Sequence, residues 1–113
     1  MTMRVAVASR DNVTVHQHFG RATHFQIYDL EGDGFRFVET RENTPSCHPN
    51  TWEQEENSHG RVVRLLADCR IVLVARIGPG ARDVLLANGL KVYELPMYID
   101  DALRKLIAET EPN

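Results

Sequence analysis

Two short runs, Val5-Ala6-Val7-Ala8 and Ile71-Val72-Leu73-Val74-Ala75, constrain this chain more than anything else in it. Neither alternates between apolar and polar residues, so neither suits a strand with one face in water. Unbroken apolar runs of this length are the pattern of strands buried on both faces, which need cover above and below. Strands are therefore expected over residues 4–9 and 71–75, inside a sheet that carries helices on its faces.

The other elements read from their own periods. Phe25-Gln26-Ile27-Tyr28-Asp29-Leu30 alternates as a strand with one face in the core, and Phe35-Arg36-Phe37-Val38-Glu39-Thr40-Arg41 is its return. Glu31-Gly32-Asp33-Gly34 lies between them, with glycines for the positive φ of a tight turn, so the two make an antiparallel hairpin. Val62, Leu65, Leu66 and Cys69 fall at i, i+3, i+4 and i+7, an apolar helical stripe with Asn57 or Ser58 as its N-cap. Residues 81–87 read as a helix, with Pro79 suited to its first turn and Gly89 to the position just past its end. Residues 90–95 are a last strand closed by Pro96, and Asp100-Asp101 start a terminal helix with Ile99, Leu103, Leu106 and Ile107 on one face. The order is three strands, then helix, strand, helix, strand, helix. Its strand–helix–strand unit implies a right-handed parallel crossover within a mixed sheet. No linker, repeat or low-complexity tract interrupts it, so a single domain, 1–113, is expected.

Charge and cysteine usage narrow the function. A net charge of −3 offers no electrostatic support for a nucleic-acid partner. The first apolar run is too short for a signal-peptide core or a membrane span, so no membrane partner is expected. Cys47 and Cys69 form no CxxC pair and suggest no disulfide framework, which fits a reducing, cytoplasmic setting. Cys69 continues the helical stripe and belongs to the core.

Candidate chemistry gathers in loops. Val13-Thr14-Val15-His16-Gln17-His18-Phe19-Gly20-Arg21 follows the first strand. In an extended backbone His16 and His18 point to one side, roughly 6.5–7 Å apart, and can face one ligand together. A histidine pair in a polar loop is also an ordinary solvated feature, and spacing alone leaves both readings open. If the second strand lies between the first and third, the loop with His16 and His18 and the loop with Cys47 and His48 leave the same edge. If the 71–75 strand runs parallel beside the first, Arg76-Ile77-Gly78-Pro79-Gly80 joins them there, at the carboxyl edge where ligands of open α/β sheets collect. Imidazole and thiolate suit iron–sulfur and other transition-metal centres. The helix opening at Gly78 and Gly80 presents N–H groups to an anion, and Arg21, Arg41 and Arg76 can donate charge-assisted hydrogen bonds to sulfide or carboxylate. The glycine turn lacks the Lys-Ser/Thr of a phosphate-binding loop. His24 and His59 carry no comparable argument.

These residues resemble the dinitrogenase iron–molybdenum cofactor family, the NifX-like domain found also at the C-terminus of NifB-type proteins. The likeness rests on Val5-Ala6-Val7-Ala8-Ser9, on His18-Phe19-Gly20-Arg21-Ala22 and on Phe25-Gln26-Ile27-Tyr28. It continues through Phe37-Val38-Glu39-Thr40-Arg41, Cys47, Leu66-Ala67-Asp68-Cys69 and Val74-Ala75-Arg76-Ile77-Gly78. The resemblance implies a ribonuclease-H-like three-layer α/β fold, its five-stranded mixed sheet of order 3-2-1-4-5 flanked by helices. It implies binding of an iron–sulfur or iron–molybdenum cluster, or a precursor, with His18 as first ligand and Cys47 as second. His16 and His48 are further candidates, and Phe19, Gly20, Arg21, Arg41, Arg76, Gly78 and Gly80 would line the site. Partners would be cofactor-assembly proteins or apo-nitrogenase. No CxxxCxxC signature of a radical-SAM enzyme is present, so a carrier rather than an enzyme is expected. Two other readings stand beside it: a small sensory or interaction module that binds a simple divalent metal, and a ribonuclease-H-like nuclease. The nuclease needs converging carboxylates, and the first strand has none.

Overall fold

Both unbroken apolar runs are inner strands of one sheet. The computed structural model describes residues 2–43 and 62–110. Its strands are β1 (Thr2–Ala8), β2 (His24–Glu31), β3 (Gly34–Glu42), β4 (Ile71–Val74) and β5 (Lys91–Glu94). They form a five-stranded mixed sheet of order β3-β2-β1-β4-β5, as expected. β1 runs antiparallel to β2, from Thr2↔Glu31 to Ala8↔Phe25, and parallel to β4 through Val5↔Ile71, Ala6↔Val72 and Val7↔Leu73. The β2–β3 hairpin turns through Gly32, whose φ of +62° is the left-handed value that only glycine adopts freely. A register shift opposite Ile27 and Tyr28 gives β3 one extra residue, Val38.

Helices cover both faces: residues 62–65 (α1), Pro79–Ala87 (α2) and Ile99–Thr110 (α3). α2 begins at Pro79, two residues before the expected start, because proline's fixed φ suits a first helical position. The chain leaves α1 for a turn at residues 66–68, which leaves Leu65 half-buried on the apolar stripe. The expected N-cap at Asn57 or Ser58 lies outside the described residues. No helix of the described residues is long and apolar enough to cross a membrane.

Strand parity sorts the interior into two cores. Ala6, Ala8, Phe25, Ile27, Val72, Val74 and Val92 face α1 and α2, packing with Val62, Leu66, Cys69, Leu85 and Leu90. Val5, Val7, Tyr28, Leu30, Ile71 and Leu73 face α3, packing with Ile99, Ala102, Leu103, Leu106 and Ile107. Cys69 is therefore a core residue, and burial pushes its thiol up to about 12. Polar groups inside are paired, as burial demands. Gln26 donates to the Ser9 carbonyl at 2.8 Å and accepts from Thr40 Oγ1 at 2.6 Å. The buried carboxylate of Asp29 accepts from Arg4 Nε at 2.8 Å and faces Arg36 at 3.4 Å, and the Arg4 hydrogen bond holds it below the usual carboxylate range.

Phe25 is fully buried where β2 meets the α1–α2 core. Phe25→Ala should cost about 3–5 kcal/mol of stability, through lost transfer energy and the cavity left behind, and urea denaturation measures it.

Candidate functional site

β1 and β4 stay paired only as far as Val7↔Leu73. β1 connects onward to the β2 side of the sheet and β4 to the β5 side, so the crevice between their carboxyl ends is a topological switch point. Residues 13–19 fill it as a strap. Gln17 N donates to the Ala8 carbonyl at 3.3 Å, and Ala75 N donates to the Gln17 carbonyl at 3.0 Å, so Gln17 wedges between the diverging strands. Phe19 N donates to the Arg76 carbonyl at 2.8 Å. At the other end, Val15 N donates to the Met97 carbonyl and Ile99 N to the Val13 carbonyl, both at 2.8 Å. The wedge thus gives hydrogen-bond partners to backbone groups that the splayed strands cannot pair with each other.

Burial alternates along the strap. Val15 is seated in the α3 core and Phe19 in the α1–α2 core, with Gln17 half-buried between them. His16 and His18, between these inward residues, are both exposed. The Gln17 side chain locks the strap to the entry of β2, accepting from Thr23 N at 3.2 Å and donating to Thr23 Oγ1 at 2.9 Å. A 3-10 turn over Phe19–Arg21 returns the chain to β2, leaving Gly20 and Arg21 exposed.

His18 pairs with Arg76 across a parallel bridge, so the two exposed side chains leave the backbone on one side. Beyond Arg76, Ile77 N donates to Glu94 Oε2 at 3.0 Å. Gly78 is the N-cap of α2 with no side-chain cap, and Pro79 is at the first turn, so the positive end of this helix opens at the same rim. Gly20, Gly78 and Gly80 share an unexpected property. None has a left-handed φ, and a Cβ on any of them would meet nothing within 4 Å. The fold itself does not demand glycine at these three positions.

His16 is held from behind. Its Nδ1 lies 3.1 Å from the Thr14 carbonyl and 3.2 Å from Thr14 Oγ1, with the Asp11 carboxylate 3.7 Å away. Such a contact at one ring nitrogen leaves Nε2 as the outward group. Asp11 in turn organises the start of the strap, accepting from Val13 N at 2.9 Å, Thr14 N at 3.1 Å and Ser9 Oγ at 3.1 Å. His16 also lines a cleft of about 430 Å³ with Thr14, Val15, Ala75, Pro96, Met97 and Tyr98. Sequence reasoning missed Met97 and Tyr98. The available signal was topological: β5 is parallel to β4 and must also end at this edge.

Three expected site residues fare differently. Arg41 is engaged elsewhere: its guanidinium takes both Asp68 oxygens at 2.7 and 2.8 Å, Glu39 Oε2 at 2.7 Å and the Leu65 carbonyl at 2.8 Å. It clamps β3 to the turn after α1 instead of presenting free donors at the rim. Cys47 and His48 lie outside the described residues. The strand that leads to them ends at this rim, for Asn43 donates from N to the Thr23 carbonyl and from Nδ2 to the Ala22 carbonyl, both at 2.8 Å. Among the described residues, no three His, Cys, Asp or Glu side chains converge as a metal cage. The groups on this strap and the loop beside it are two exposed imidazoles, of which His18 is bridged to Arg76, two arginines free of ion pairs among the described residues (Arg21 and Arg76), and a helix terminus just beyond Arg76. That set suits a dock with one or two metal bonds and several hydrogen bonds to an anion.

The family described as "Dinitrogenase iron-molybdenum cofactor" matches residues 1–109. The FeMo cofactor biosynthesis protein NifB of Frankia alni is 35% identical over 106 residues, which cover 93% of this chain and 20% of that protein. The chain therefore spans about a fifth of that relative's length. Protein NifX of Sinorhizobium fredii is 28% identical over 96% of this chain and 68% of its own length. Among solved structures, the crystal structure of PH0822 superposes with a TM-score of 0.72 at 29% identity, covering 95% of this chain and 90% of that one.

The Asp11 carboxyl is lowered to about 2, first by the hydrogen bond from Thr14 N and then by that from Val13 N. A depressed folded-state value means the turn keeps these bonds above the ordinary carboxylate range and loses them as pH falls through about 2. A carboxyl-carbon NMR titration should place the Asp11 midpoint there; a midpoint at the ordinary aspartate value would show that the turn does not hold it.

Proposed function

The chain belongs to the dinitrogenase iron–molybdenum cofactor family, and from that premise we propose that it carries an iron–sulfur or iron–molybdenum cluster, or a precursor, during cofactor assembly. The observation that carries this reading is the switch-point rim, where exposed His18 is bridged to Arg76 just ahead of the uncapped start of α2, and Arg21 N donates to the His18 carbonyl at 3.1 Å. His18 supplies the first bond to a cluster metal. Arg76, Arg21 and the backbone donors of α2 stabilise the cluster's negative charge. Cys47 is the second expected ligand, and His16 and His48 are further donors. Phe19 fixes the strap from beneath, and the open glycines 20, 78 and 80 let the backbone approach a bulky inorganic ligand, which a row of Cβ atoms would hold off.

A few metal bonds suffice for a carrier, because the cargo must leave again. The protein is then a non-enzymatic, cytoplasmic accessory that works as one domain of the ribonuclease-H-like class. It passes its cluster to an assembly protein or to apo-nitrogenase. One observation favours a second reading, a simple divalent ion on the histidine pair: His16 and His18 are both exposed, two residues apart on one strap.

Anaerobic loading, followed by iron, sulfide and molybdenum analysis, separates these readings. Wild type should retain a cluster, and His18→Ala should lose at least tenfold in affinity. Equal stoichiometry and affinity in both would remove His18 from the site, and metal uptake without sulfide would favour the simple ion. Gly80→Ala separates dock from scaffold. Within a helix it should raise stability by about 0.5–1 kcal/mol, since alanine loses less backbone entropy, while cluster retention falls.

A further inference from the structure

Val13 and Tyr98 are 52% and 60% exposed, unusual for large apolar side chains, and they are neighbours. Ile99 N donates to the Val13 carbonyl, and Thr14 pairs with Tyr98 across an antiparallel bridge. Tyr98 forms a wall shared by two hollows. One is the 430 Å³ cleft with Val15, Pro96 and Met97 in its lining. The other, of about 350 Å³, is lined by Asn12, Val13, Asp100 and Asp101. Neither aspartate takes part in an ion pair among the described residues. An apolar hollow and an acidic hollow thus lie side by side, with an exposed aromatic ridge between them.

We infer that this surface docks a segment of a partner protein that places an apolar side chain in the larger hollow and a lysine or arginine in the smaller. Charge selects this occupant. The chain's own stretch with Glu53, Glu55 and Glu56 would bring carboxylates towards Asp100 and Asp101. In a two-fold pair, a second copy would bring the same aspartates, on a chain of net charge −3. Like charges repel in both cases, whereas a basic segment is attracted and oriented. Tyrosine is also a favoured anchor at protein interfaces, where a large rigid side chain loses little freedom on binding. The surface is continuous with the strap through His16, so a partner seated here touches the segment that bears both exposed histidines. The inference needs no assumption about the cargo.

Two synthetic peptides test it on the full chain: acetyl-Gly-Lys-Leu-Lys-Gly-amide and its counterpart with glutamate in place of lysine. Each is titrated to millimolar concentration and followed by amide NMR shifts. The lysine peptide should saturate, moving the amides of residues 13, 98 and 101, and the glutamate peptide should move none. Tyr98→Ser, and separately the double variant Asp100→Asn/Asp101→Asn, should each weaken the lysine peptide at least fivefold. Equal binding of both peptides, shifts mapped elsewhere, no saturation, or unchanged affinity in the variants would overturn the inference. So would self-association of the protein that Tyr98→Ser abolishes, which would make the occupant a second copy.

Discussion

One backbone residue holds the rim together. Gln17 takes the place that β1 and β4 vacate for each other, accepting from Ala75 and donating to Ala8. Without it, the diverging strand ends would expose or bury unpaired amide groups, which is costly in a protein interior. Phe19, bonded to the Arg76 carbonyl, extends the wedge by one more pairing. Val15 and Phe19 then anchor it in opposite cores. Every position that matters follows from this. The imidazoles face outward because their neighbours face inward, and His18 stands beside Arg76 because of the register of the wedge.

Five arginines divide into two groups. Arg4, Arg36 and Arg41 are held by Asp29, Asp68, Glu31 and Glu39 and serve the scaffold. Asp68 lies between Arg41 and Arg4, and its hydrogen bond to Arg41 first, with that to Arg4 behind it, holds its carboxyl far below the usual range. Arg21 and Arg76 take part in no ion pair among the described residues, with Glu94 held instead by Ile77 N. A chain of net charge −3 thereby keeps two guanidiniums at this edge outside any ion pair of the described residues. It keeps an acidic surface too, at Asp100 and Asp101, on the far side of Tyr98.

The sheet was legible because its cause is local: runs without polar residues must be covered on both faces, and a Gly-rich turn between alternating strands makes a hairpin. That His16 and His18 stand two residues apart on the loop after β1 was legible for the same reason, since it is a matter of neighbouring residues. The wedge itself was not legible. Its bonds join Gln17 to Ala8 and Ala75 through main-chain groups that every residue carries, so no side chain announces the register. Arg41 misled because its backbone stands in register with Phe25 near the carboxyl edge while its long side chain reaches Asp68. The Met97–Tyr98 wall belongs to a turn without periodicity, and its place depends on where β5 stops.

The rim depends on the wedge, and amide hydrogen exchange addresses it residue by residue. The N–H groups of Gln17, Phe19 and Ala75 should exchange as slowly as those of neighbouring sheet residues, because all three donate to main-chain carbonyls within the folded edge. Exchange of these three at the rate of an unstructured loop, in a protein whose β1 and β4 amides remain protected, would contradict it.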